Sequence, residues 1–294
     1  MDNKRDDIVQ AAIRLFSKKG FAATSVEEIA KESGMAKASF YKYFQGKHEL
    51  PLAICFKMEE EIGKDIKALY SQTGLSSRDK LLRLIKIYLN NIIGNKVYLL
   101  IITEPFPANT HDEPTNEALQ EHEKRIFLWI RDCLLDVYGP DVEGHIWDIT
   151  FILMSVTFEY IRVFEERMEQ KSIDKLADFL LYITDSLIAG VRQQSEPPSF
   201  LWGLEAWFTS SRGPDPLQEG KKIASLLEKL EAKLMRLSLG DSNKQEFLDI
   251  ISQLRKETSA DDASTGLLKA LLSYLEQLDE LKEDCAKLRD LLDL

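Results

Sequence analysis

The chain has 294 residues, 44% of them hydrophobic and 30% charged, with a formal net charge of −11. That composition suits a globular protein able to bury a core of about two domains. No apolar run reaches the ~18–20 residues a membrane span needs, the N-terminal MDNKRDDIVQ is too charged for a signal peptide, and Cys55, Cys133 and Cys285 are too few and too scattered for a disulfide framework or a structural zinc site, so the expected compartment is cytoplasmic.

Charge is unevenly spread. Residues 1–50 hold nine Lys/Arg against seven Asp/Glu, residues 215–294 hold twelve against seventeen, and the stretch between carries −8. A polyanion is therefore attracted to the N-terminal fifty residues and repelled by the rest.

Almost everything reads as helix, so the expected fold class is all-α. Ile8, Ala12, Leu15 and Phe16 make one apolar stripe of a first helix from about Lys4 to Lys18. Lys18 and Lys19 in its last turn and Gly20 beyond it are stop signals. In TSVEEIAKESG, Thr24 with Glu27 or Ser25 with Glu28 fits a capping box for a second helix. Its inner face is Val26, Ile29, Ala30 and Ser33, and Gly34 ends it. Met35-Ala36 turns the chain into a third helix that runs through Phe44, and Gln45-Gly46 precede a fourth.

Two short helices joined around a glycine are the layout of a helix-turn-helix, whose second helix enters the major groove of DNA. Phe40 and Phe44, at i and i+4, pack inward on the first two helices. Lys37, Ser39, Tyr41, Lys42 and Tyr43 are then left on the rims and outer side. Lys37, Ser39 and Lys42 are the candidates for base edges, a lysine being able to donate to guanine O6 or N7.

The middle of the chain predicts helices at about 47–70, 77–94, 96–104, 115–138, 141–170 and 172–193, with Pro105, Pro107 and Pro114 in the loop after the third. The last two carry apolar residues at 3–4 spacing: Ile149, Ile152, Val156, Tyr160 and Val163, then Leu176, Phe179, Leu180, Ile183 and Leu187. Tyr98, Phe106, Phe127, Trp129, Phe151 and Phe158 are candidates to line an apolar ligand cavity, each with plain core packing as the alternative.

QQSEPPS reads as a linker, followed by FLWGLEAWF and a second break, TSSRGPDP. Helices follow at about 217–238, 243–258 and 263–292. Leu267, Leu271, Tyr274, Leu278, Leu281, Cys285, Leu288 and Leu292 alternate spacings of 4 and 3, a heptad seam. Ile223, Leu227, Leu230, Leu234 and Leu237 repeat the rule. The unit closes on itself as a hairpin or three-helix bundle, or its seam pairs with a second chain. Trp202 and Trp207 are candidates to fasten it to the body.

Nothing points to an enzyme. No Gly-rich phosphate loop, Ser/His/Asp order or paired catalytic carboxylates stand out, and His111, Asp112, Glu113 and His122 match no metal-ligand spacing. No cofactor is expected.

The N-terminal residues closely resemble the DNA-binding domain of the TetR family of bacterial transcriptional repressors. The match lies in Thr24-Ser25-Val26, Ile29-Ala30, Gly34-Met35, Phe40-Tyr41, Tyr43-Phe44, Lys47 and Leu50, over roughly residues 5–55. The helical pattern up to about residue 193 suits that family's ligand-binding and dimerisation domain. The resemblance implies a DNA-binding domain at 1–50 and a ligand-binding and dimerisation domain at 51–195, and it says nothing of the helical extension at 196–294. It implies phosphate contacts from Tyr41, Tyr43 and Lys47, and from Thr24 and Ser25 at the start of the second helix. Departures are Ala36, where a capping Ser or Thr is usual, Ser33 and Ala38 in place of Ala and Gly, and Pro51, which must kink the fourth helix or delay its start.

The function so implied is a homodimeric repressor. Its two recognition helices meet a palindromic site on double-stranded operator DNA, about 34–36 Å apart or modestly wider, and a small, largely apolar inducer or co-repressor alters their separation through the fourth helix. The rivals are a helical scaffold that acts through its C-terminal bundle and a transcriptional activator with the same DNA-binding mode.

Overall fold

The structure, a computed structural model, describes residues 3–94, 113–164, 170–194, 199–201, 206, 208, 213, 215–237, 240–260 and 263–294. Among the described residues there are twelve α-helices and no strand. The helix expected at 96–104, the candidate cavity residues Tyr98 and Phe106, and the candidate fasteners Trp202 and Trp207 lie outside the described residues. The chain divides into two compact units, Met1–Ile62 with Ile85–Gly213, and Gly63–Leu84 with Pro214–Leu294.

The first unit opens with α1 (Asn3–Lys19), α2 (Val26–Glu32) and α3 (Lys37–Phe40). α1 stops where the sequence predicts, with Gly20 at φ +79 donating its N–H to Phe16 O at 2.8 Å. α2 begins on the Ser25–Glu28 alternative: both halves of the capping box are present. Gly34, at φ +71, closes α2, and the next N–H, of Met35, bonds Ala30 O at 2.9 Å. That turn needs a left-handed residue, which glycine adopts without a Cβ penalty.

α3 is shorter than expected. It ends at Phe40, and the chain continues as a turn in which Lys42 N–H bonds Ser39 O and Tyr43 N–H bonds Phe40 O, contacts three residues apart. The start is weak too, because Ala36 supplies no side-chain cap. Phe40 and Phe44 are nonetheless buried as predicted, with Ile8, Ala12, Phe16, Ile29 and Ala30. A 3₁₀ turn at Lys47–Glu49 leads into α4 (Leu50–Ser71). Pro51 therefore falls in the first turn of α4, where its missing N–H has no intrahelical partner to lose. The helix start is delayed, and that is the accommodation the proline required.

The rest of the first unit holds the beginning of α4, the end of α5 (Ser77–Gly94), α6 (Glu113–Tyr138), α7 (Ile146–Phe164) and α8 (Gln170–Gln193), with a 3₁₀ turn at Pro140–His145. Met58, Leu89, Ile126, Cys133, Leu134, Ile149, Leu153, Leu176 and Leu180 are among its buried residues. The apolar stripes of α7 and α8 are only half consumed. Phe151, Ile152, Tyr160, Val163, Phe179 and Tyr182 stay exposed, between 36% and 66% of their surface.

The second unit combines the end of α4 and the beginning of α5 with α9 (Pro216–Arg236), α10 (Asp241–Thr258), α11 (Thr265–Leu275) and α12 (Lys282–Leu291). The single helix expected at 263–292 is broken. Leu278 adopts an extended conformation and a 3₁₀ turn at Asp279–Leu281 reverses the chain. Leu271, Leu272 and Leu275 before the break and Leu281, Cys285 and Leu288 after it share one core with Ile223, Leu227, Leu230 and Leu234. Most of the seam is thus buried within the chain, by four helices rather than three, while Leu267 stays 37% exposed. Burial of both leucine sets outweighs the loss of a few helical bonds. Asp284, with no exposed surface, lies 2.7 Å from Lys229 Nζ and 2.6 Å from Lys233 Nζ, so its charge is paired where it is covered.

Candidate nucleic-acid interface

The outward surface of α3 and the turn after it is assembled by what lies beneath. Phe40 is completely buried and Phe44 nearly so, their rings 5.7 Å apart, while Arg5 of α1 covers the Phe44 ring at 4.8 Å. With those rings fixed, Lys37, Tyr41 and Lys42 are exposed and Ser39 and Tyr43 half-buried. Tyr41 is 52% exposed, braced edge-on by the Phe40 ring at 5.6 Å. Lys37 Nζ is 3.8 Å from Glu27 Oε2, a loose surface pair that a phosphate can replace. These five side chains lie on one stretch of seven residues, and none of them is buried.

Three residues expected at phosphates have partners within the head. Lys47 turns inward. Its ammonium donates to Phe21 O at 2.9 Å, Ala22 O at 3.2 Å and Thr24 O at 2.8 Å, and stands 4.7 Å over the Phe21 ring. An ammonium has three donors, and all three are engaged, so Lys47 staples the α1–α2 loop in this structure. Thr24 is 1% exposed and its hydroxyl donates to Gly20 O at 2.8 Å. Ser25 is taken up by the capping box: its hydroxyl donates to Glu28 Oε2 at 2.8 Å and accepts from Glu28 N–H at 3.3 Å. It remains exposed.

The head is further tied by Lys19 to Glu28 at 2.5 Å and Arg14 to Glu32 at 3.0 Å, both between α1 and α2. The Lys19 ammonium first, and the Ser25 N–H second, hold the Glu28 carboxyl down at about 2. Stapled carbonyls, a box-capped start and two cross-links leave the outer lysines and tyrosines mounted on a stiff base.

The cavity candidates are less concerted. Phe127 and Trp129 are buried and Phe158 is half-buried, its ring 6.4 Å from that of Tyr88. Phe151 is 50% exposed, on the outward side of α7 with Ile152. A cleft of about 270 Å³ opens elsewhere, lined by Gln10 and Ile13 of α1, Lys57, Met58 and Glu61 of α4, and Asn90, Asn91 and Gly94 of α5.

One buried polar cluster had no place in the sequence reading. Glu59 of α4 accepts from Arg125 Nε at 2.6 Å and Nη2 at 2.9 Å, and lies 2.9 Å from His122 Nδ1, both partners on α6. Burial alone pushes the Glu59 carboxyl up, and the His122 and Arg125 hydrogen bonds overcome that and hold it low. The signal was present in the helical spacing: Cys55, Glu59, Ile62 and Ile66 lie on one stripe, so a glutamate stood among core positions.

Residues 8–54 match the family described as bacterial regulatory proteins, tetR family. Two HTH-type transcriptional regulators of Bacillus subtilis (strain 168) are similar along their whole length. YuxN is 25% identical over 301 residues, 99% of this chain and 98% of its own, and YerO is 25% identical over 300 residues, 96% and 99%. Among solved structures, the fatty acid degradation regulator FadR from Bacillus halodurans superposes with a TM-score of 0.53 at 17% identity, covering 65% of this chain and 98% of that one. The structural likeness bears on the fold, and about a third of this chain has no counterpart in it.

Proposed function

We propose, from the premise that this chain belongs to the TetR family of DNA-binding transcriptional regulators, that it acts in the cytoplasm as a homodimeric repressor of a palindromic operator, released by a small, largely apolar inducer. Residues 1–50 read DNA, residues 51–195 bind the effector and dimerise, and residues 196–294 form an added helical extension. The observation that carries the reading is the outward group of Lys37, Ser39, Tyr41, Lys42 and Tyr43 above the buried Phe40 and Phe44. Tyrosine hydroxyls and lysines at the rim place the head on the phosphates, and Lys37, Ser39 and Lys42 reach base edges. Lys47 and Thr24 serve by holding the loop beneath them.

The exposed apolar face of α7 and α8 supports the dimer. Phe151, Ile152, Tyr160, Val163, Phe179 and Tyr182 form a patch of the kind soluble proteins cover with a partner, and an antiparallel helix pair from each of two copies closes it with matching surfaces. Phe127, Trp129 and Phe158 line the effector site from α6 and α7, beside Tyr88 of α5. Binding is tested by selecting fragments of genomic DNA on the purified protein and titrating them against salt. A palindromic consensus and a log–log slope near −0.9 per neutralised phosphate are expected; a slope near zero with no enriched sequence overturns the reading. Replacement of Tyr160 and Phe179 by Glu is expected to give a monomer in sedimentation, and an unchanged dimer removes this face from the interface.

A further inference from the structure

The chain beyond α8 is fastened to the first unit. Asp148, in the first turn of α7, accepts from Ser199 Oγ at 2.6 Å, from Phe200 N–H at 3.2 Å and from Leu201 N–H at 3.3 Å. Farther along, Gly213 lies so near α6 that a Cβ there would stand 2.5 Å from Arg125 Cδ. Between them in sequence, Phe208 is inserted among side chains of α6 and α7. It is 7% exposed, whereas Phe200 is 83% exposed and Ala206 and Gly213 are exposed too. Among the described residues of 199–213, Phe208 alone is buried.

The Phe208 ring stacks on Trp147, with centroids 4.4 Å apart and planes 15° from parallel, and it meets Phe127 at 5.7 Å and 32°. Trp147 and Phe127 are themselves buried, and the Arg131 guanidinium stands 5.5 Å from the Trp147 ring centroid. The two walls of this slot are held by their own helices, Phe127 by α6 and Trp147 by α7. The ring between them comes instead from the segment after α8, whose start is tied to a single carboxylate. What the indole offers is a π-face at the separation of a stacked pair. Any flat ring satisfies that face as Phe208 does, and a saturated ring, thicker and without a quadrupole, does not.

We propose that the space Phe208 fills beside Trp147 and Phe127 is a binding site for a flat aromatic ligand of one or two fused rings, with Phe208 as its built-in occupant. The inference deepens the effector reading of residues 51–195, and it rests on that reading where the ligand is called an effector. Ligand and Phe208 compete for one indole face. The apparent affinity is therefore the intrinsic one reduced by the fraction of chains whose Phe208 has left. Asp148 helps to set that fraction, because its bonds to Ser199, Phe200 and Leu201 hold down the start of the segment that carries Phe208. Asp148→Ala leaves the Phe208 ring in the chain, so tighter binding in that variant is not the filling of an artificial cavity.

The experiment uses the full-length chain and two probes, 2-naphthol and decahydro-2-naphthol, which has the same skeleton without flat rings. Calorimetry on the parent is expected to show one saturable 2-naphthol site per chain, with the decahydro probe about tenfold weaker or more. Asp148→Ala and Phe208→Leu are each expected to raise the 2-naphthol affinity about threefold or more. In the parent, 2-naphthol is expected to speed amide exchange around Phe208, where a ligand in a static pocket would slow it. If one variant does not fold, the other carries the comparison. No saturable binding, or equal binding of the two probes, overturns the flat-ring site. Unchanged 2-naphthol affinity in every variant that folds, or slower exchange around Phe208, makes that ring plain core and overturns the proposal. Binding with all these signatures that leaves affinity for the selected genomic fragment unchanged refutes the effector reading instead.

Discussion

The reading head and the C-terminal bundle are both made of short helices, and they are held together in opposite ways. The head has little core: Phe40, Phe44, Phe16, Ile8, Ile29 and a few alanines. Its stiffness comes from polar links, chiefly Lys47 on three carbonyls, the Ser25–Glu28 box and the Lys19–Glu28 pair. The bundle is a leucine core, with Leu227, Leu230, Leu234, Leu254, Leu272, Leu275, Leu281 and Leu288 at or near zero exposure. A head fastened by inward polar bonds can keep its outer side polar and available to DNA. A bundle fastened by leucines needs no such side, and it has a backbone-tight contact, Gly220 against the end of α4. The difference teaches where each region is vulnerable: the head at single donors, the bundle at core volume.

That contrast can be broken in order of expected effect. Phe40→Ala and Leu272→Ala each leave a core cavity and are expected to cost about 3–5 and 2–5 kcal/mol respectively in denaturant unfolding. Phe40→Ala should also abolish operator binding, because the outer lysines and tyrosines lose their base, whereas Leu272→Ala should leave contact with random duplex intact. Equal loss of random-duplex binding in both would erase the distinction between the regions. Next, Lys47→Met leaves the carbonyls of Phe21, Ala22 and Thr24 without their charged donor and is expected to lower stability by about 2 kcal/mol, with the salt slope of DNA binding unchanged. A slope reduced by about 0.9 at full stability would instead return Lys47 to the phosphates.

Ser25→Ala removes one half of the capping box and is expected to cost about 1 kcal/mol. Lys42→Ala, an exposed change, should leave the unfolding midpoint within error and reduce the salt slope by roughly one; a shifted midpoint with an unchanged slope would make Lys42 structural. The smallest effect is in acid. Glu28 is lowered from 4.5 to about 2 when folded, so its contribution is fully present above its unfolded value and is lost as the pH falls from about 5 toward 2. Glu28→Gln should flatten that part of the stability–pH curve and leave the neutral region's slope alone. Asp284, held low by Lys229 and Lys233 against the opposing effect of burial, shifts in the same direction in the bundle, and Asp284→Asn tests it by the same titration.

Much of the head was legible because its signals are local. Gly20 and Gly34 are written at their turns, and Phe40 and Phe44 are one helical turn apart. The choice between Thr24 and Ser25 as cap was not legible, since both have a glutamate three residues on; burial of Thr24 against Gly20 decided it. The roles of Lys47 and Glu59 were hidden for a related reason. A lysine near a helix start reads as a phosphate ligand, and a glutamate on the core stripe of α4 signals burial without naming its partners, until distant chain supplies three carbonyls to the one and an arginine and a histidine to the other.

By itself the sequence determined the helical class, the stops at Gly20 and Gly34, the inward phenylalanines and the heptad leucines, because helix periodicity and capping act within a few residues of the chain. Only the tertiary structure decided that the last leucine helix folds back at Leu278, that Lys47 points inward, and that Gly220 lies against the backbone of α4. Those outcomes depend on which remote surfaces meet, and the free energy of burying a leucine or pairing a charge is set by that meeting.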